Sequence, residues 1–182
     1  MGFVEDVRAQ AAKAGEAIRA SGAKRVIVLD SYDAALMLHE YKDWGIDLPE
    51  IVTATAFVDG LIREDRLTPR KDGGVITYHD GSRLARDLDE HEPARNILRA
   101  MGFEIHEMWQ NRRLAKCCGC AVARQFMPDI ARRVAENRWN DVKRTDAKRM
   151  TAACPQSTEG LRATVPEGYQ YVDLFMLLKD HL

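Results

Sequence analysis

Apolar positions recur along this chain at two spacings, and the two alternate. Val4, Val7, Ala11, Ala14 and Ile18 fall every three or four residues, predicting a helix over 3–20 that Ser21-Gly22 ends. The run Val26–Leu29, between Arg25 and Asp30, is continuous rather than periodic, the pattern of a buried parallel strand. A helix over 32–42 follows, then a short extended piece at Pro49–Val52, then a helix over 55–64 carrying Phe57, Val58, Leu61 and Ile62. Thr68-Pro69 and Asp72-Gly73-Gly74 mark a loop.

The same alternation restarts at Val75. Residues 75–78 are expected to form a strand, 92–101 a helix with Pro93 in its first turn, and 103–108 a strand. Val122, Phe126, Ile130, Val134 and Trp139 predict one side of a long helix over 122–139, which Pro128 bends or restarts. Residues 144–148 extend the helical pattern, 149–153 read as a strand, 156–163 as a helix, and 171–181 as a final amphipathic helix. Strand, loop and helix in repetition predict an α/β fold with Rossmann-like layers of helices around a mostly parallel sheet. The strands near 25–30, 75–78, 103–108 and 149–153 are expected to share that sheet. The loops at Ser82, Cys117 and Cys154 would then meet at one edge, where α/β proteins place ligands.

Composition narrows the function without naming it. The chain has 182 residues, enough for a substantial core, and its formal net charge is −1. That balance argues against a general nucleic-acid surface, which needs a basic excess. No apolar run is long enough to span a bilayer, and residues 1–20 lack a signal-peptide core, so no direct membrane insertion and a cytoplasmic location are expected. Gly73-Gly74 lacks the spacing of a nucleotide-binding loop.

The cysteines change the picture. Cys117, Cys118 and Cys120 crowd into four residues, and Cys154 opens Cys154-Pro155-Gln156-Ser157. Clustered thiols in a reducing compartment are more often metal ligands or redox groups than disulfides, although free cysteines also serve as small buried hydrophobes. His79, Asp30 and Asp80 sit at strand ends, where a histidine holds a loop and an aspartate caps the next helix. Trp109 and Trp139 read as packing residues.

Tyr78-His79-Asp80-Gly81-Ser82, Cys117-Cys118-Gly119 and Cys154-Pro155-Gln156-Ser157, with Glu92-Pro93-Ala94-Arg95 and Asn111–Ala115 between them, resemble the cysteine-rich CCG domain. This domain occurs in heterodisulfide reductase and in the iron–sulfur subunits of glycolate and lactate oxidases. The resemblance covers 75–182 as a CCG-type domain, and more weakly 1–74 as the second half of a preceding, degenerate unit, the two packed as one globule. It implies an iron–sulfur cluster, of the 4Fe–4S type, held by Cys117, Cys118, Cys154 and Cys120, with His79, Ser82 and Ser157 as further candidates. The copy is degenerate: Asp33, Ser82 and Ser157 stand where the family has cysteine. A five-thiolate noncubane cluster is therefore not expected.

Two functions follow from the resemblance. One is an electron-transfer subunit of a cytoplasmic oxidoreductase complex, related to heterodisulfide reductase or 2-hydroxy-acid oxidases, working with a flavoprotein or another iron–sulfur subunit. The other is a cluster-less module that binds zinc or nothing and serves as a docking subunit. Thiol–disulfide chemistry at the vicinal pair is a third. In each case the half-unit should associate, with itself or within a larger complex.

Overall fold

A computed structural model describes residues 3–119 and 122–182. They form two compact units, the first ending at Ala54 and the second starting at Thr55. The division falls twenty residues before the one suggested by the family resemblance, because residues 55–74 pack with the CCG-type domain: Val58, Ile62 and Leu67 lie against the core of the second unit.

The first unit contains helix α1 (Val4–Ala20), strand β1 (Arg25–Val28), helices α2 (Ser31–Leu38) and α3 (Glu40–Asp43), and strand β2 (Glu50–Thr53). Strands β1 and β2 pair in parallel as a sheet of their own. Asp30 caps α2, its carboxylate accepting the Tyr32 N–H at 2.7 Å. Asp33 is exposed in the first turn of that helix.

Helix α4 (Ala54–Arg63) leads into the second unit, which is built on strand β3 (Val75–Tyr78), helix α5 (Pro93–Ala100), strand β4 (Glu104–Ile105), helices α6 (Val122–Phe126) and α7 (Pro128–Val142), strand β5 (Arg149–Ala152), helix α8 (Pro155–Arg162), strand β6 (Gln170–Asp173) and helix α9 (Leu174–Asp180). Its four strands run parallel in the order β4-β3-β5-β6. Ile76 and Tyr78 face one layer, packing with Ile97, Leu98 and Leu174. Met150 faces the other, with Trp139, Val142 and Leu161. The fold is therefore α/β, with helices over a parallel sheet.

The sheet departs from expectation in three places. The run at 25–30 pairs with β2 and not with β3, so the expected common sheet divides into two. Residues 170–173 form a fourth strand where a helix was expected. Helix α9 begins only after Asp173, whose carboxylate accepts the N–H groups of Phe175 and Met176 at 2.9 and 3.3 Å. Of residues 103–108, only Glu104 and Ile105 pair with a neighbour.

The helices depart in two. Helix α7 stops at Val142 because the Thr145 hydroxyl donates to the Val142 carbonyl and accepts from the Ala147 N–H, a local arrangement that competes with the helix. The expected helix over 122–139 breaks at Met127, with Pro128 starting the second piece. The side buried is Ala131, Ala135, Arg138, Trp139 and Val142, whereas Phe126 and Ile130 are exposed. Trp139 is fully buried, but Trp109 is 91% exposed, so only one of the two packs as expected. Since Trp109 and Leu114 lose little contact on truncation, Trp109→Ser and Leu114→Ser should each shift stability by no more than about 0.5 kcal/mol, checked by urea denaturation.

Candidate functional site

The connections after β3 and β5 leave in opposite directions, β3 towards β4 and β5 towards β6. Adjacent parallel strands that diverge in this way open a crevice at their carboxyl ends. His79 to Ser82 follow β3, and Cys154 follows β5. The two loops approach closely, since a Cβ on Gly81 would stand 3.2 Å from Cys154 Cβ.

The Cys118-Gly119 turn is held between α7 and α8. Gly119 has φ +70°, and a Cβ on it would stand only 2.0 Å from the Ala131 carbonyl oxygen. On the other side, a Cβ on Gly160 would meet the Cys118 carbonyl oxygen at 3.1 Å. Cys118 and Cys154 are buried and Cys117 is exposed. The Cys118 thiol donates to Ser157 Oγ at 3.2 Å, so one of the two serines at family cysteine positions is in direct contact with a family thiol. Cys117 accepts the Gly119 N–H at 3.4 Å and opens onto a cleft of about 500 Å³ lined by Lys116, Ile130, Arg133, Val134 and Asn137. Ser82 is half-buried at the start of a π-helical turn, Arg83–Asp87. Cys120 lies outside the described residues.

His79 is buried and makes a bond that the sequence did not suggest. Its Nδ1 accepts from Arg138 Nε at 3.1 Å. Arg138 is itself fully buried, and also donates to Asp141 at 3.2 Å and to the Gln110 carbonyl at 3.0 Å. Burial, and then the Arg138 charge, lower the His79 pKa from 6.5 to about 3. Burial lowers the Arg138 pKa too, against the pull of Asp141. His79 is therefore a neutral acceptor. Its folded pKa lies below its unfolded value, so its contribution to stability is complete above pH 6.5 and is lost as pH falls towards 3. In the metal-free protein this predicts a loss of about 1.4 kcal/mol per pH unit in that window. Urea midpoints measured across it should show the slope, and His79→Gln should flatten it.

Asp80 was expected to cap the following helix and does not. It is buried in a bidentate pair with Arg95, at 2.7 and 2.9 Å, and accepts the Arg112 N–H at 2.8 Å. Burial alone would raise its pKa, but the Arg95 bonds and charge and the Arg112 N–H hold it below the usual carboxylate range. Arg95 also binds both oxygens of Glu107, at 2.6 and 2.9 Å. The one sequence signal for such residues is a charge inside an apolar stripe: Arg138 shares the buried face of α7 with Ala131, Ala135 and Val142.

Residues 76–157 match the family model of the cysteine-rich CCG domain. This part of the chain belongs to that family. Among proteins similar to the chain as a whole is a subunit of the dihydromethanophenazine:CoB–CoM heterodisulfide reductase of Methanosarcina acetivorans, 35% identical over 84% of this chain and 39% of that one. A probable membrane-anchored ferredoxin of Chromohalobacter salexigens is 34% identical over 62% of this chain and 17% of its own length. A probable iron–sulfur-binding oxidoreductase of Bacillus subtilis is 26% identical over 72% of this chain and 19% of its own. The chain thus spans about two fifths of the heterodisulfide reductase subunit. No helix among the described residues is long and apolar enough to cross a membrane.

Set against the CCG domain, the thiols only partly fit a metal centre. With serine at 82 and 157, the five-thiolate cluster does not fit this chain. Among the described residues, no three His, Cys, Asp or Glu side chains come together as a ligand set. A four-thiolate centre matches the number of donors only when Cys120 is counted with Cys117, Cys118 and Cys154.

Proposed function

We propose that this chain is a redox subunit, or part of one, in an oxidoreductase complex of the heterodisulfide reductase or 2-hydroxy-acid oxidase kind. Its CCG domain assembles a metal–sulfur centre on Cys117, Cys118, Cys154 and Cys120. A flavoprotein or a further iron–sulfur subunit is the partner, and the compartment is the reducing cytoplasm. The observation that carries this reading is the burial of Cys154 at the carboxyl end of one of two diverging strands, and of Cys118 beside Ser157 on the segment that follows Cys154, in a CCG domain. When bound, an iron–sulfur cluster supplies one-electron chemistry, tuned by burial and by hydrogen bonds to sulfur. The chain's own residues shape its surroundings: Ser157 contacts Cys118, and the fixed cation of Arg138 stands behind His79.

The Cys118–Ser157 bond favours a second reading, in which the pocket holds zinc or no metal and the module serves to dock partners. Protein prepared without oxygen decides between the two. Brown colour with iron and acid-labile sulfide supports the redox subunit, whereas colourless protein with stoichiometric zinc, or with no metal, supports the docking module.

A further inference from the structure

Two of the segments around the thiols, those after β3 and after β4, are cross-linked by two buried guanidinium groups. Arg95 grips Asp80 in the loop after β3 and Glu107 in the segment after β4, and Asp80 in turn takes the Arg112 N–H. Arg138, on α7, reaches His79 in the first of these segments and Gln110 in the second. It also binds Asp141, whose other oxygen takes the Lys116 ammonium at 2.9 Å, next to Cys117. Arg86 adds a bond to the Ala115 carbonyl at 2.9 Å. The Cys154 loop is fixed separately, by the Thr158 hydroxyl on the Cys154 carbonyl and by the contact between Ser157 and Cys118.

A site built by its metal is loose before loading, because metal binding and local folding are then one event. Here the buried charges already join the same loops, and buried charge pairs with their donors in use specify one arrangement. We infer that Arg95 and Arg138 are positioning residues that hold the segment bearing Cys117 and Cys118 against the loop after β3 with no metal bound, so that folding there precedes loading. The inference rests on reading these thiols as the functional site, but not on the identity of the centre.

Thiol labelling of the reduced, metal-free protein under native conditions, resolved by residue with tandem mass spectrometry, tests it. Cys117 should label fast, with Cys118 and Cys154 about tenfold or more slower, since a buried thiol reacts only through local opening. Arg138→Met should bring the Cys118 rate close to that of Cys117 with the far-UV circular dichroism unchanged. Arg138→Lys should do the same, because an ammonium keeps the charge without the three-way fork. If Arg138→Met does not fold, Asp141→Asn should still speed Cys118 by a smaller factor. Labelling of Cys118 and Cys154 as fast as Cys117 in the metal-free wild type overturns the inference, as does unchanged protection of Cys118 in every variant that folds. A protein that binds no iron would sink the redox reading and leave this labelling pattern as expected.

Discussion

Arg95→Met is expected to destabilise the second unit by about 3–5 kcal/mol, the cost of leaving buried charge without its partner. The Arg95 guanidinium is fully buried and serves two carboxylates and the His91 carbonyl at once. Methionine replaces the apolar stem but not the guanidinium, whose carbon lies 5.1 Å from the Tyr78 ring, so the loss is chiefly electrostatic with a small cavity added. Asp80 then becomes a buried carboxylate with only the Arg112 N–H, and its pKa should rise. The fold responds by opening the loop after β3. Thermal unfolding followed by circular dichroism should show a fall in Tm of about 10 °C or more. The variant should regain part of that stability at mildly acid pH, where protonation of Asp80 removes the unpaired charge. In the wild type the sign is opposite: the folded pKa of Asp80 is depressed, so its stabilisation is present at neutral pH and is lost as pH falls through that lowered value.

The second large effect is expected at Gly119. Alanine there needs a left-handed backbone, which costs about 1–2 kcal/mol in an L-residue. Its methyl would also overlap the Ala131 carbonyl oxygen, a backbone atom that cannot turn aside. The Cys118-Gly119 turn must therefore lift away from α7, and the Cys118 thiol must leave Ser157. Gly119→Ala should abolish metal loading and expose Cys118 to labelling, with a loss of stability greater than the backbone cost alone. Gly22→Ala is the control: its φ is +68° but nothing lies within 4 Å, so only the backbone cost applies.

The strand–loop–helix rhythm of the second unit was legible because β3 and β5 are short segments largely buried in the sheet, and because Gly74 and Gly81 flank β3 and Pro155 follows β5. The split of the strands between two sheets was not, since the run at 25–30 looks like the run at 75–78 and only tertiary pairing separates them. Strand β6 was absorbed into a predicted helix, although Asp173, a capping residue, marked the true start of α9. Along α6 and α7 two stripes share the helical spacing, Phe126-Ile130-Val134 and Ala131-Ala135-Trp139. The second stripe is the buried one: Ala135 and Trp139 pack with Met150 and Leu161, and at Ala131 the cysteine turn approaches the helix backbone, a contact that Gly119 permits. The approach of the Cys117–Cys118 and Cys154 loops followed from the family resemblance. The arginines that hold those loops did not, since charged side chains default to the surface unless paired.

Metal and sulfide content per chain, measured in wild type, Cys118→Ala and Cys154→Ala prepared without oxygen, tests the central claim most directly. Iron and acid-labile sulfide should be stoichiometric in the wild type and absent from both variants. Cys120→Ala should also lose them, if the fourth ligand comes from this chain. Full retention of metal in both Cys118→Ala and Cys154→Ala would contradict the shared site and return these cysteines to the status of packed core thiols.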